Sequence, residues 1–267
     1  QVDPRYGGPE YETIASMGSD CGVDDLTAIA KANELCQAYG LDTISCGASI
    51  AFAMECAAQG ILRKVDMGGL DLAFGNAAAV VEMVGRIGRR EGLGDLLAEG
   101  VARASRRLGP AAEGLALHVK GQELPMHEPR LKQGLGLGYA ISPTGADHCH
   151  NIHDNLYQSP GPALESLKAL GIIEPVPSMD LSPAKVRLLI YNSTWEHMLN
   201  SLVFCNFVPL NQGQVNELVQ GVTGLNSTVW ELMKVGERVM TMARAFNVRE
   251  GFTAADDRLP RRFFTPQ

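Results

Sequence analysis

The chain has 267 residues, 45% hydrophobic and 20% charged, with a formal net charge of −7. That is enough apolar material for one large core or two smaller ones. An acidic balance with no basic block argues against a nucleic-acid partner, and apolar stretches that are all interrupted argue against a membrane span.

Taken in chain order, Asp24 can cap a helix through Tyr39, because Leu26, Ile29, Ala30, Asn33 and Cys36 recur at three- and four-residue steps before Gly40. Thr43 can open a second helix, rich in Ala and Ile, to Gln59-Gly60. Asn76 begins a third, with Val80, Val81, Val84 and Ile87 on its apolar face. Gly94-Asp95 opens a fourth, ending near Gly109. Four helices with short Gly-marked links predict a compact helical domain. From about 110 to 162 Gly, Pro and His concentrate and periodicity is lost, which predicts a long loop region carrying function. Helices resume at Ser182-Pro183 (to about Leu199), Asn211 (to Val222) and Ser227 (to Phe246), before an irregular tail from Phe252. Strand patterns are scarce, so the fold class is all-α, in two helical domains over 1–118 and 119–267.

The six cysteines form no CxxC pair, and most read as small buried thiols. With no cationic-then-apolar leader, a reduced, cytoplasmic setting is expected. Four stretches could carry chemistry. Asp147, His148, His150, His153 and Asp154 crowd one short segment, open to a metal, a non-metal ligand or simple hydrogen bonding. The run Gly134-Leu-Gly-Leu-Gly138 lacks a preceding strand and reads most plainly as a turn. Glu10 and Glu12 precede the first helix, as solvated groups or as a general base in a cleft. Finally, Gln37 to Asp42 and Asn200 to Cys205 each set an amide five residues before an Asp or Cys at a helix C-terminus, where exposed backbone groups suit a heterocyclic ligand.

Six ordered blocks make these features more specific together than singly: GPEYETIASMGSDCGVDDL, ANELCQAYGLDTISCGASIAFAMECAAQGIL, REGLGDLLAEGVARAS, VKGQELPMHEPR, GLGLGYAISPTGADHCHNIHD and NSLVFCNF. In this order they resemble the aldehyde ferredoxin oxidoreductase family of tungsten–pterin enzymes. The resemblance implies a two-electron oxidation of an aldehyde to a carboxylic acid, a tungsten (or molybdenum) bis-molybdopterin, a 4Fe–4S iron–sulfur cluster, and ferredoxin as electron acceptor. Family members are considerably longer and begin with a β-rich domain that carries much of the pterin site and three cluster cysteines. The chain opens Gln1-Val2 without Met. It is therefore expected to be a piece corresponding to the family's two helical domains, inactive and free of cofactor on its own.

The resemblance also assigns residues. Cys205 matches the fourth cluster thiolate. The family's DxxGL motif, followed by Asp or Cys, falls on the two hexads. There Gln37 and Asn200 stand where the motif has Asp, and Leu41, Asp42, Phe204 and Asn206 match pterin contacts. Thr144 and His150 fall at pterin-contact positions that are basic in the best-matching members. Glu12 and His148 match the active-site Glu and His, and His127 stands where some members carry Tyr. Cys21 is a candidate sulfur ligand to tungsten, against a plain buried thiol. Three readings compete: the related tungsten subunit of a class II benzoyl-CoA reductase, a helical assembly module without catalysis, and a zinc hydrolase built on His148, His150 and His153.

Overall fold

The computed structural model describes residues 2–265, so the last two positions of the expected irregular tail, Pro266 and Gln267, lie outside the described residues. Among the described residues there are twelve α-helices and one short hairpin, as an all-α chain requires. Contacts divide the chain between Met126 and His127, where the sequence expectation set the boundary at 118; the chain from Pro260 on returns to the first unit.

The first unit is built on α1 (Tyr11–Met17), α2 (Leu26–Tyr39), α3 (Thr43–Ala58), α4 (Ala77–Arg89), α5 (Leu93–Leu97), α6 (Val101–Leu108) and α7 (Pro110–Glu113). The start signals act as sequence chemistry dictates. Asp25, Asp42 and Asn76 each accept a backbone N–H in the first turn of the helix they precede. The cap of α2 is Asp25, one residue later than expected. Gly40 closes α2 in the left-handed region at φ 69°.

The expected fourth helix is two helices. Gly100 breaks it at φ 78°, and buried Glu123 caps the second piece by accepting the Val101 N–H at 2.7 Å. Glu123 belongs to a hairpin of β1 (His118–Val119) and β2 (Gln122–Glu123), turned by Lys120 and Gly121, both at positive φ. The core holds Met17, Ile50, Phe52, Met54, Met83 and Val84. Helices α1 and α3 approach so closely that a Cβ on Gly47 would lie 2.6 Å from the Ser16 backbone. Arg262, in the returning tail, pairs with Glu55 of α3 at 2.7 Å.

The second unit contains α8 (Gln133–Ile141), α9 (Pro162–Leu167), α10 (Pro183–Ser201), α11 (Gln212–Thr223) and α12 (Val229–Arg249). The Gly134–Gly138 run is helical, not a turn, and forms most of α8. Its glycines serve close packing. A Cβ at Gly134 would meet Asp154 Oδ1 at 2.7 Å, and one at Gly138 would meet Asn151 Oδ1 at 2.2 Å. The helix surface is thus flat enough for the histidine loop to lie against it. Two apolar clusters support this unit, one around Ile152, Leu164 and Leu188, the other around Trp195, Met198 and Leu232. Gly236 of α12 lets the backbone of α10 approach, since a Cβ there would sit 2.0 Å from the Thr194 carbonyl oxygen.

Among the described residues no single helix is long and apolar enough to cross a membrane. The apolar pair α2 and α3 is bent by 119° between its members.

Candidate functional site

The two hexads have one backbone design. In the first unit, the Gly40 N–H donates to the Gln37 carbonyl and the Leu41 N–H to the Cys36 carbonyl. In the second, the Val203 N–H donates to the Asn200 carbonyl and the Phe204 N–H to the Leu199 carbonyl. These are the same pair of bonds at the same offsets, closing α2 and α10 alike. Gly40 at φ 69° has its counterpart in Val203 at φ 54°. A β-branched residue in the left-handed region is strained by about 1–2 kcal/mol. Val203 is 93% exposed, so local packing does not account for this strain.

The hexads present their side chains outward. Gln37, Asp42, Asn200, Cys205 and Asn206 are exposed, and Leu41 and Phe204 are half-buried. Asp42 is oriented by accepting the Ser45 N–H at 2.7 Å. Asn206 donates to the Cys149 carbonyl at 2.9 Å, which ties the second hexad to the histidine loop.

Glu12 lies in the first turn of α1 and is 7% exposed. Its Oε2 accepts the Met126 N–H at 2.9 Å, which fixes the carboxylate. Helix α1 is joined to the start of α3 by a Thr13–Thr43 hydroxyl bond of 2.8 Å and by Ser16 donating to the Thr43 carbonyl. Within this unit Glu12 is therefore held on the helix pair that also carries Asp42. Glu10, by contrast, is exposed and precedes α1 without capping it through its side chain.

In the second unit the histidines divide into two groups. His127, His148 and His153 cluster, with ring centroids 4.7 to 5.8 Å apart. Lys132 donates to His127 Nδ1 at 3.1 Å, so that nitrogen is the acceptor and the proton of the neutral ring sits on Nε2. Burial, aided by the neighbouring His127 and Lys132, lowers the His153 pKa to about 4. His150 belongs elsewhere. Its Nε2 bonds the Ser142 hydroxyl at 2.8 Å, Thr144 bonds the same hydroxyl, and its ring lies 4.5 Å from that of His197. Burial, opposed by the Asp147 charge, lowers the His150 pKa to about 4. A zinc site from His148, His150 and His153 is thus not assembled, because His150 turns toward Ser142 and His197.

Four cysteines are buried, and Cys149 and Cys205 are exposed. Cys21 is fully buried with its thiol directed at the Ser16 carbonyl, and burial pushes its pKa up to about 12. This is the environment of the plain buried thiol that the sequence also allowed. Cys205, exposed at a helix end, has the accessibility that an iron ligand requires.

Sequence reasoning missed the partnership of His150 with His197, and with it Ser193. The signal was available: Ser193 and His197 stand one turn apart inside a helix whose neighbours Leu189, Trp195 and Met198 are core. It also missed Glu196 beside Tyr157 and Cys205, a carboxyl that burial raises to about 7.

Comparison with known proteins gives a consistent picture. A family model described as aldehyde ferredoxin oxidoreductase, domains 2 and 3, matches residues 1–267. The chain is 34% identical over 260 residues to a tungsten-containing aldehyde ferredoxin oxidoreductase of Pyrococcus furiosus, and 32% identical over 264 residues to one of Pyrococcus horikoshii. Each match covers 96% of this chain and 41% of the relative, so the chain spans less than half the length of these proteins. Over a shorter stretch, 54% of the chain, it is 34% identical to the WOR-like subunit of an aliphatic sulfonate oxidoreductase of Pyrococcus furiosus. The fold is similar to that of part of a chain in the active-site complex of a benzoyl-coenzyme A reductase, with a TM-score of 0.77 at 22% identity over 96% of this chain and 43% of that one.

Proposed function

The chain belongs to the aldehyde ferredoxin oxidoreductase family, matching its domains 2 and 3, and from that premise we propose that it forms the helical part of a tungsten- or molybdenum-dependent enzyme that oxidises aldehydes to carboxylic acids and passes the electrons to ferredoxin. The observation that carries this reading is the repeated cap, with Val203 forced into the conformation of Gly40. Two identical helix ends, each presenting backbone donors, acceptors and an amide, suit two similar heterocycles, as a bis-pterin offers.

In this reading Leu41 and Asp42 hold one pterin, and Phe204 and Asn206 the other. Gln37 and Asn200 supply neutral acceptors where a carboxylate would add charge. Thr144 and His150 belong to the same set, and burial keeps His150 uncharged. Cys205 gives the fourth thiolate to a 4Fe–4S cluster, whose other ligands come from the part of the enzyme that this chain does not span. When bound, these groups supply the two-electron redox chemistry.

The chain's own residues handle protons and orientation. Aldehyde and water give carboxylate, two electrons and three protons. Glu12 takes a proton from the water, its carboxylate already oriented by the Met126 N–H. His148 donates a hydrogen bond to the carbonyl oxygen as negative charge develops there, and His127 supports it from the same cluster. Alone, the chain lacks three cluster thiolates and is expected to be inactive and to bind neither metal.

Replacing Cys205 by Ala in the whole enzyme tests the assignment. The reading expects the spectroscopic signal of a reduced 4Fe–4S cluster to disappear and iron content to fall. An unchanged cluster signal contradicts it.

A further inference from the structure

The second unit has an open pocket of about 550 Å³ between α8, α10 and α12. Its wall is mainly hydrocarbon, from Ile141, Leu189, Ile190, Met240 and Ala245. Two polar groups of α10 interrupt it. The Ser193 hydroxyl is buried, with the residue only 4% exposed, and has no hydrogen-bond partner among the described residues. A buried hydroxyl without a partner is costly unless something else completes it.

His197 stands one turn further along the same face and is 7% exposed. Its Nδ1 lies 2.7 Å from the Ser193 carbonyl oxygen, which only accepts, so Nδ1 carries the proton. Burial holds its pKa below the ordinary imidazole value, so the ring is neutral and Nε2 is an acceptor. Ser193 and His197 thus offer the cavity one donor and one acceptor, a helical turn apart. The cation in its wall is already used: Arg244 holds Asp257 through its two terminal guanidinium nitrogens, at 3.0 and 2.8 Å. His150 also lines the cavity, and is neutral with its Nε2 on Ser142.

We propose that this cavity binds an uncharged, mainly hydrocarbon molecule carrying a hydroxyl group, such as a phenol, which accepts from Ser193 and donates to His197. The ligand's hydrocarbon part lies against Ile190 and Met240. A carboxylate is excluded, since it would face apolar walls, a neutral imidazole and an arginine that is already paired. The proposal stands independently of the oxidoreductase reading, because its residues other than His150 take no part in that reading.

Phenol, anisole and benzoate differ only in the polar group, and titrating each into the 267-residue chain, followed by calorimetry, tests the proposal. Saturable phenol binding is expected, with anisole and benzoate each weaker by roughly tenfold or more. Ser193→Ala removes a buried hydroxyl that has no partner, so the melting temperature of the free chain should hold or rise while phenol binds roughly three- to tenfold more weakly. Ile190 is half exposed, so Ile190→Trp should fold normally, fill the cavity and abolish binding. Failure of phenol to bind, equal binding of all three probes, or binding that neither variant alters would overturn the proposal.

Discussion

Asp154 and Lys185 form an ion pair with both side chains wholly removed from solvent. Asp154 closes the histidine loop, and Lys185 lies in the first turn of α10. The same carboxylate accepts the Gly134 and Leu135 N–H groups at 3.0 and 2.9 Å, so it also caps α8. One buried charge therefore fixes the end of the loop that carries His148, His150 and His153 against two helices.

Removing one partner of such a pair leaves the other charge buried and uncompensated, at a cost of about 3–5 kcal/mol. Asp154→Asn is expected to destabilise the second unit by that amount in urea denaturation. The double variant Asp154→Asn with Lys185→Met should recover most of the loss. Equal stability of the single variant and the unaltered chain would show that the pair does not hold the loop.

Val203 supplies a test of the repeated cap that needs no cofactor. At φ 54° it occupies a region that glycine enters freely. Val203→Gly should therefore stabilise the chain by about 1 kcal/mol, against the usual direction for a glycine substitution. A loss of stability would mean that the left-handed turn is not a strained feature of the chain.

Acid titration has a definite sign. His150 and His153 titrate near 4 in the folded chain, against 6.5 for an ordinary imidazole. Between these values the unfolded chain takes up protons at these two histidines that the folded chain refuses, so their contribution to stability is lost as pH drops from 6.5 toward 4 and is constant above about 7. Each histidine contributes on the order of 1 kcal/mol per pH unit or less, discounted for partial exposure of His153. Glu196, raised by burial to about 7, acts in the opposite sense over the same range, so the histidine contribution is read as a difference between variants. Relative to the unaltered chain, His153→Gln should gain melting temperature as pH falls from 7 to 5, and a difference that does not change with pH would contradict the burial argument.

Much of this architecture was legible in the sequence, because it rests on local chemistry. Asp42, Asn76, Ser182 and Asn211 cap the helices that their side chains predict, and Gly40 ends one as glycine does. What the sequence hid depends on partners distant along the chain. The glycines of α8 look like a turn until Asp154 and Asn151 are placed against them. The break at Gly100 depends on Glu123, 22 positions from the N–H it accepts. Histidine spacing misled in the same way. His148 and His150 are two apart, yet one joins His127 and the other His197, since the loop's path rather than a regular period sets their directions.

The most direct test of the proposed chemistry is Glu12→Gln in the whole enzyme. Glutamine keeps an oxygen to accept the Met126 N–H, so the α1 region should remain as it is, but it cannot take a proton. Aldehyde oxidation should fall by about 10²–10⁴-fold, the scale of a lost general base, while tungsten content stays level. Turnover equal to that of the unaltered enzyme, with tungsten still bound, would remove Glu12 from the reaction and contradict the account.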